Sequence, residues 1–234
     1  MKNYLSFCCF LFFILLQLSC QKEPTLYQNS CTEPLLAGNP VLSSTTIISS
    51  TGEAIPMTCG QLRTQSPGGW GAPPHGENPA SYLSANFAAA FGSLTIGCAG
   101  GYTLSVSSAR VITMLLPTGG TVDALHQNQI DPAYIDNVLV GHLISLMISV
   151  GLDLYDPNFG QAEVHLGDMV IASGPFMGMK VNSFIEVANG VIGGCNTSYS
   201  VQQVLETTSA INGNYVNGTT NNGFLKCPEE VIPR

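Results

Sequence analysis

One apolar segment in the second half of the chain limits its fold more than any other feature. Between residues 132 and 152, Ile135, Val138, Leu139, His142, Leu143, Leu146 and Val150 recur at three- to four-residue spacing, which makes one apolar stripe along a helix. Ala133, Asn137, Gly141, Ser145 and Ser149 make a second ridge of small residues, against which another element can approach closely. Asp131-Pro132 is a capping side chain followed by proline, so the helix is expected to open there. The apolar stretch 138–152 is shorter than the about 20 residues of a membrane span and is interrupted by Gly141 and His142. The segment is expected to be a core helix, with the other elements arranged around it.

The same signals place four more helices. Asn78-Pro79 opens one that carries Leu83, Phe87, Ala90 and Phe91 on a face and stops at Gly92. Ser107 or Ser108 caps another, which runs through Leu116 to Pro117. Helices are also predicted over 181–191 and 201–215, the latter with Ser200 and Gln203 at capping-box spacing. The segments 94–98 and 102–106 alternate around a glycine turn and read as a hairpin, with Leu94, Ile96, Cys98, Tyr102, Leu104 and Val106 on its buried side. Short strands are expected over 45–59. Residues 65–77, rich in glycine and proline around the only tryptophan, Trp70, are expected to lack regular structure. No internal repeat is visible. The fold class expected is α+β, mainly α, a single domain of about five helices and a small antiparallel hairpin or sheet.

The N-terminus carries an address. A basic start, an apolar run from Leu5 to Leu16 and then Gln17-Leu18-Ser19-Cys20 read as an export leader that ends at a lipidated cysteine. Residues 1–19 are the expected signal peptide, and 20–44 a lipidated tether spanning roughly 25–30 Å as a flexible coil. Residues 45–234 are the expected extracytoplasmic domain, held at the outer membrane and exposed at the cell surface. The leader removes one of seven cationic residues and leaves six against fifteen carboxylates. So acidic a chain offers no electrostatic footprint for nucleic acid.

Of eight cysteines, Cys31, Cys59, Cys98, Cys195 and Cys227 remain after the leader and Cys20 are set aside. An exported chain meets an oxidising compartment, so disulfides are expected among these five, with a pairing that spacing leaves open.

Candidate chemistry is sparse. Asp153, Asp156, Asn158, Glu163, His165 and Asp168 are the densest set of potential ligands, and oxygen donors on a loop suit Ca2+; Asp153, Asp156 and Asp168 are the carboxylates that would hold it. The spacing also fits a solvated helix exit, with no metal or other cofactor. Trp70 and His75 on the glycine-rich loop are the candidate ligand platform, the alternative being that Trp70 plugs the core. His142, on an apolar helix face, reads as a hydrogen-bonded core histidine. No catalytic residue is assigned, since the chain lacks a Gly-x-Ser-x-Gly elbow, a Ser-x-x-Lys pair and a His-Glu-x-x-His helix.

Gly68-Gly69-Trp70-Gly71, Tyr82-Leu83 with Asn86-Phe87, Ile96-Gly97, Leu116-Pro117, Asn137-Val138-Leu139 with Gly141, Ser173-Gly174, Gly193-Gly194-Cys195 and Phe224-Leu225 together resemble a module of secreted and cell-surface proteins in Bacteroidetes-type bacteria. The resemblance covers about residues 58–227. It implies an extracytoplasmic single domain and assigns no activity or site residue. The function expected is a non-enzymatic surface lipoprotein, joined to the membrane by its lipid, that binds an extracellular glycan, peptide or protein. The alternative is an exported hydrolase using a carboxylate with His75 or His165.

Overall fold

Seven α-helices and five short strands succeed one another in the computed structural model, which describes residues 59–228. They are α1 (Pro67–Trp70), α2 (Pro79–Ala90), β1 (Leu94–Gly97), β2 (Thr103–Val106), α3 (Ala109–Leu115), β3 (Gln129–Ile130), α4 (Val138–Tyr155), α5 (Pro157–Gly160), a 3-10 turn (Leu166–Asp168), β4 (Val170–Ile171), α6 (Val181–Ile192), α7 (Val201–Asn214) and β5 (Leu225–Lys226). The chain is α+β and mainly helical, a single domain. The five predicted helices are α2, α3, α4, α6 and α7, while α1 and α5 are single four-residue turns. The leader, Cys20, the tether, Cys31 and the strands expected over 45–58 lie outside the described residues.

Two expectations about helices need correction. The glycine-rich loop contains α1, because Ser66 accepts from the Gly69 N–H and Pro67 stands at the first helical position. Glycine at 71 follows from close approach, since a Cβ there would collide with the Leu116 carbonyl. The long helix α4 opens at Val138, not after Asp131-Pro132. Asn137 Oδ1 accepts from the N–H groups of Leu139 and Val140 at 3.0 and 3.4 Å, while Asn137 Nδ2 donates to the Asp123 carbonyl at 2.7 Å. Asp131 is unavailable as a cap because its carboxylate accepts from the Ser107 N–H and hydroxyl at 2.7 and 2.6 Å.

At 18 residues α4 reaches the length and apolarity of a membrane span, yet its side chains are mostly buried in the protein itself. It touches α1, α2, α5, α6, α7 and β1. A helix buried on so many sides must be apolar nearly all round, and Leu139, Val140, Leu143, Ile144, Leu146, Ile148 and Leu152 are fully buried. The hydroxyls of the small-residue ridge are satisfied within the helix, Ser145 donating to the Gly141 carbonyl at 2.8 Å and Ser149 to the Ser145 carbonyl at 3.0 Å. That internal bonding lets a polar ridge be buried without orphaned groups.

The expected hairpin is present, with Leu94 opposite Val106 and Ile96 opposite Leu104, all four on the buried side as expected, while Cys98 is half-buried. Tyr102 departs from prediction and is exposed. The Tyr102 N–H donates to the Gly193 carbonyl, which bends the turn toward the end of α6 and breaks the alternation. β3 adds to β2 in parallel, and β4 pairs with β5 antiparallel, tying the C-terminal segment to the core.

Candidate functional site

The C-terminal end of α4 gathers most of the polar residues singled out in the sequence. Asp156 ends α4 and caps α5, its Oδ1 accepting from the Asn158 N–H at 2.9 Å with Pro157 at the first helical position. Its Oδ2 accepts from the Tyr82 hydroxyl at 2.5 Å. The hydrogen bonds from Tyr82 and then Asn158 hold the Asp156 carboxyl below the usual carboxylate range. Burial, followed by the bond to Asp156, raises the Tyr82 phenol well above its ordinary value.

The short α5 carries Phe159 inward, where its ring stacks with Tyr82 at 5.5 Å and with Trp70 at 6.2 Å between centroids. The Arg63 guanidinium lies over the same Phe159 ring, 5.4 Å from its centroid. Among the described residues no carboxylate comes within ion-pair distance of Arg63, and its buried Nε has no hydrogen-bond acceptor. A buried donor without a partner costs roughly 1–3 kcal/mol.

Arg63 opens onto a polar hollow of about 150 Å³ that Gln61, Asn158, Phe159, Gln161 and Asn217 also line. Gln161 and Asn217 adopt left-handed backbone conformations, at φ 57° and 56°. Asp131 is the one other described non-glycine residue that does so. Left-handed conformations in residues other than glycine carry strain and concentrate at functional sites.

Beneath this hollow lies a second pair. Asp153 is buried on α4; its Oδ2 accepts from the Leu166 N–H at 2.8 Å and lies 3.2 Å from His165 Nδ1. Burial raises the Asp153 carboxyl above its ordinary value, and the bonds from Leu166 and His165 offset part of that rise. Gly160 lies between the pair and the segment that carries Arg63: a Cβ there would lie 2.9 Å from Asp153 Oδ1 and 3.5 Å from the Arg63 backbone nitrogen. The His165 ring is more than half exposed, so an oriented imidazole faces solvent from a buried carboxylate.

The other predicted residues are placed as follows. Trp70 is wholly buried and offers no ring face to a ligand, whereas His75 is exposed on the loop before α2. The two do not form a platform. Asp153, Asp156 and Asp168 each bond to a different partner, Asp168 accepting from Lys180 Nζ at 3.0 Å. Among the described residues no three His, Cys, Asp or Glu side chains converge to hold a metal ion. His142 is half-buried and its Nδ1 lacks a partner among the described residues, which corrects the expectation of a hydrogen-bonded core histidine. Cys59 with Cys227 and Cys98 with Cys195 stand at disulfide distance, with Cα separations of 5.8 and 6.4 Å.

No protein-family model, curated protein or solved structure matches this chain. No family is shown. Arg63 and Phe159 escaped sequence reasoning because a lone arginine and a lone phenylalanine carry no spacing. One signal was present: Asp156-Pro157 is the same capping pair that marks Asn78-Pro79, and it predicts the turn that brings Phe159 beneath Arg63.

Proposed function

We propose that this protein is a surface lipoprotein anchored through Cys20, whose folded part is a non-enzymatic binding module for a polar extracellular ligand. The observation that carries this reading is Arg63, partly buried against Phe159 with no hydrogen-bond partner among the described residues, in a hollow walled by amides. A guanidinium held this way suits recognition of a charged or polar group. The decisive experiment probes glycan and peptide arrays with the mature protein and with Arg63→Gln, alongside mass analysis and protease shaving of intact cells. Saturable binding lost in the variant, with a lipid-shifted peptide at Cys20 that disappears on shaving, is the expected result. Binding unchanged by the substitution would remove the hollow from the function, and an unlipidated, protected chain would remove the anchor.

A second reading, exported hydrolase, is favoured by one observation, the buried Asp153 carboxylate beside the outward His165 imidazole. An orienting carboxylate behind a histidine is two thirds of a nucleophilic triad, or a base for water. Among the described residues no serine, threonine or cysteine side chain is hydrogen-bonded to His165. Turnover of an ester, peptide or glycoside panel that is abolished by His165→Ala would establish this reading over the first.

A further inference from the structure

We infer that the Arg63 hollow is a subsite for one acidic sugar residue, whose carboxylate is taken by the guanidinium and whose hydroxyls are taken by the surrounding amides. The inference rests on the binding-module reading and gives its ligand a chemistry. Arginine presents five N–H donors in a planar fork that matches a carboxylate in two parallel bonds. In this protein none of the five is hydrogen-bonded to a described residue, and the guanidinium carbon lies 5.4 Å from the centroid of the Phe159 ring. A volume of about 150 Å³ is small against ligand pockets of roughly 300–1,000 Å³, so it admits one residue of a larger ligand and leaves the rest outside.

The amides distinguish a sugar acid from a simple anion. Gln61 Nε2 donates to the Gly218 carbonyl at 2.7 Å and Asn158 Nδ2 lies 3.2 Å from Asp156 Oδ1, which leaves Gln61 Oε1 and Asn158 Oδ1 as unused acceptors. Asn217 Oδ1 accepts from Gln65 Nε2 at 2.8 Å, leaving its own Nδ2 as a donor. These exposed acceptors can take the hydroxyls of a sugar, whereas sulfate and acetate bring no donors to them. The left-handed backbones of Gln161 and Asn217 shape the same wall, so strain and unused hydrogen-bonding groups coincide at one place.

The test titrates the full mature chain with methyl glucuronide, methyl glucoside, an N-acetylated dipeptide with a free C-terminal carboxylate, and sulfate, reading heat or chemical shift. Methyl glucuronide is expected to bind, with the uncharged glucoside about 10- to 100-fold weaker for the lost charged partner, and the peptide and sulfate, which keep the charge but lack the ring hydroxyls, about three- to tenfold weaker for the lost neutral hydrogen bonds. Arg63→Gln is expected to abolish the preference. Arg63→Lys keeps the charge without the fork and is expected to weaken the glucuronide about tenfold while the near-ultraviolet dichroism stays native. Equal binding of glucoside, peptide or sulfate, or glucuronide binding that survives both substitutions, overturns the assignment. If no titrant binds while the mature protein still captures an arrayed ligand, this inference fails and the binding-module reading stands.

Discussion

Asp153 and His142 are ionisable groups on α4, the first buried and the second half-buried, and their titrations should change stability in opposite directions. The Asp153 carboxyl is raised by burial, so the folded state holds its proton to higher pH than the unfolded chain does. Its contribution to stability is complete below the ordinary value of 3.8 and is lost as pH rises through the raised folded value. The urea midpoint of the wild type minus that of Asp153→Asn should therefore fall as pH rises through that window, and a flat difference would mean that Asp153 titrates normally. The imidazole of His142 is lowered by burial from 6.5, so its contribution is present above that value and is lost as pH falls through the folded value. Replacing it by leucine removes the unpartnered Nδ1, whose burial costs about 1–3 kcal/mol. His142→Leu is expected to be at least as stable as wild type near neutral pH and to lose less stability on mild acidification. A variant markedly weaker at neutral pH would show that Nδ1 has a partner after all. At this scale the sequence told where polar residues cluster, but not their pairing. Asp153 and His165 meet because α4 and the 3-10 turn pack together, and periodicity says nothing of that contact.

Helix starts were legible only in part: Asn78-Pro79 was read as one, whereas the single turns that follow Ser66 and Asp156 were not. Ser66, Asn78 and Asp156 each precede a proline and each cap the helix that follows. Asp131 has the same neighbour and caps nothing, because Ser107 at the end of β2 holds its carboxylate. The competing partner is distant in sequence, so local reading placed the start of α4 six residues early. The consequence is measurable. Asn137→Ala removes the cap of the central helix and should lower stability by about 1–2 kcal/mol, with a further loss from the broken Asn137–Asp123 bond. Asp131→Ala should leave α4 intact and cost less, since it frees an exposed link to Ser107. A urea series in which Asp131→Ala costs more than Asn137→Ala would place the start of α4 back at the earlier pair. Strands were less legible than helices. β3, β4 and β5 have two residues each, too few to show an alternation, and they exist only through partners elsewhere in the chain.

At the scale of the molecule, the two cysteine pairs close loops that span most of the described chain. Sequence spacing left the pairing open, because cysteines 168 and 97 residues apart are related only by the fold. β5 pairs with β4 and brings Cys227 to Cys59, while the hairpin turn and the end of α6 bring Cys98 to Cys195. Both Cα separations fall within the range a disulfide spans. In the chain-entropy description, either crosslink alone would restrict the unfolded chain by about 5 kcal/mol. The pairs are nested, so once one is closed the other encloses a shorter free loop and adds less. Each native bridge is thus expected to contribute about 2–4 kcal/mol, and in a domain of this size each kcal/mol moves Tm by roughly 2–4 °C. A non-reducing peptide map of the mature protein should recover the peptides of Cys59 with Cys227 and of Cys98 with Cys195. The Cys98→Ala, Cys195→Ala double variant should melt about 5–15 °C lower while retaining its helical dichroism, because α4 and its apolar partners need neither cysteine to pack. Linkage of Cys31 to any of the four would contradict this arrangement, and loss of helix in the double variant would mean that the crosslink, and not the packing around α4, holds the hairpin to α6.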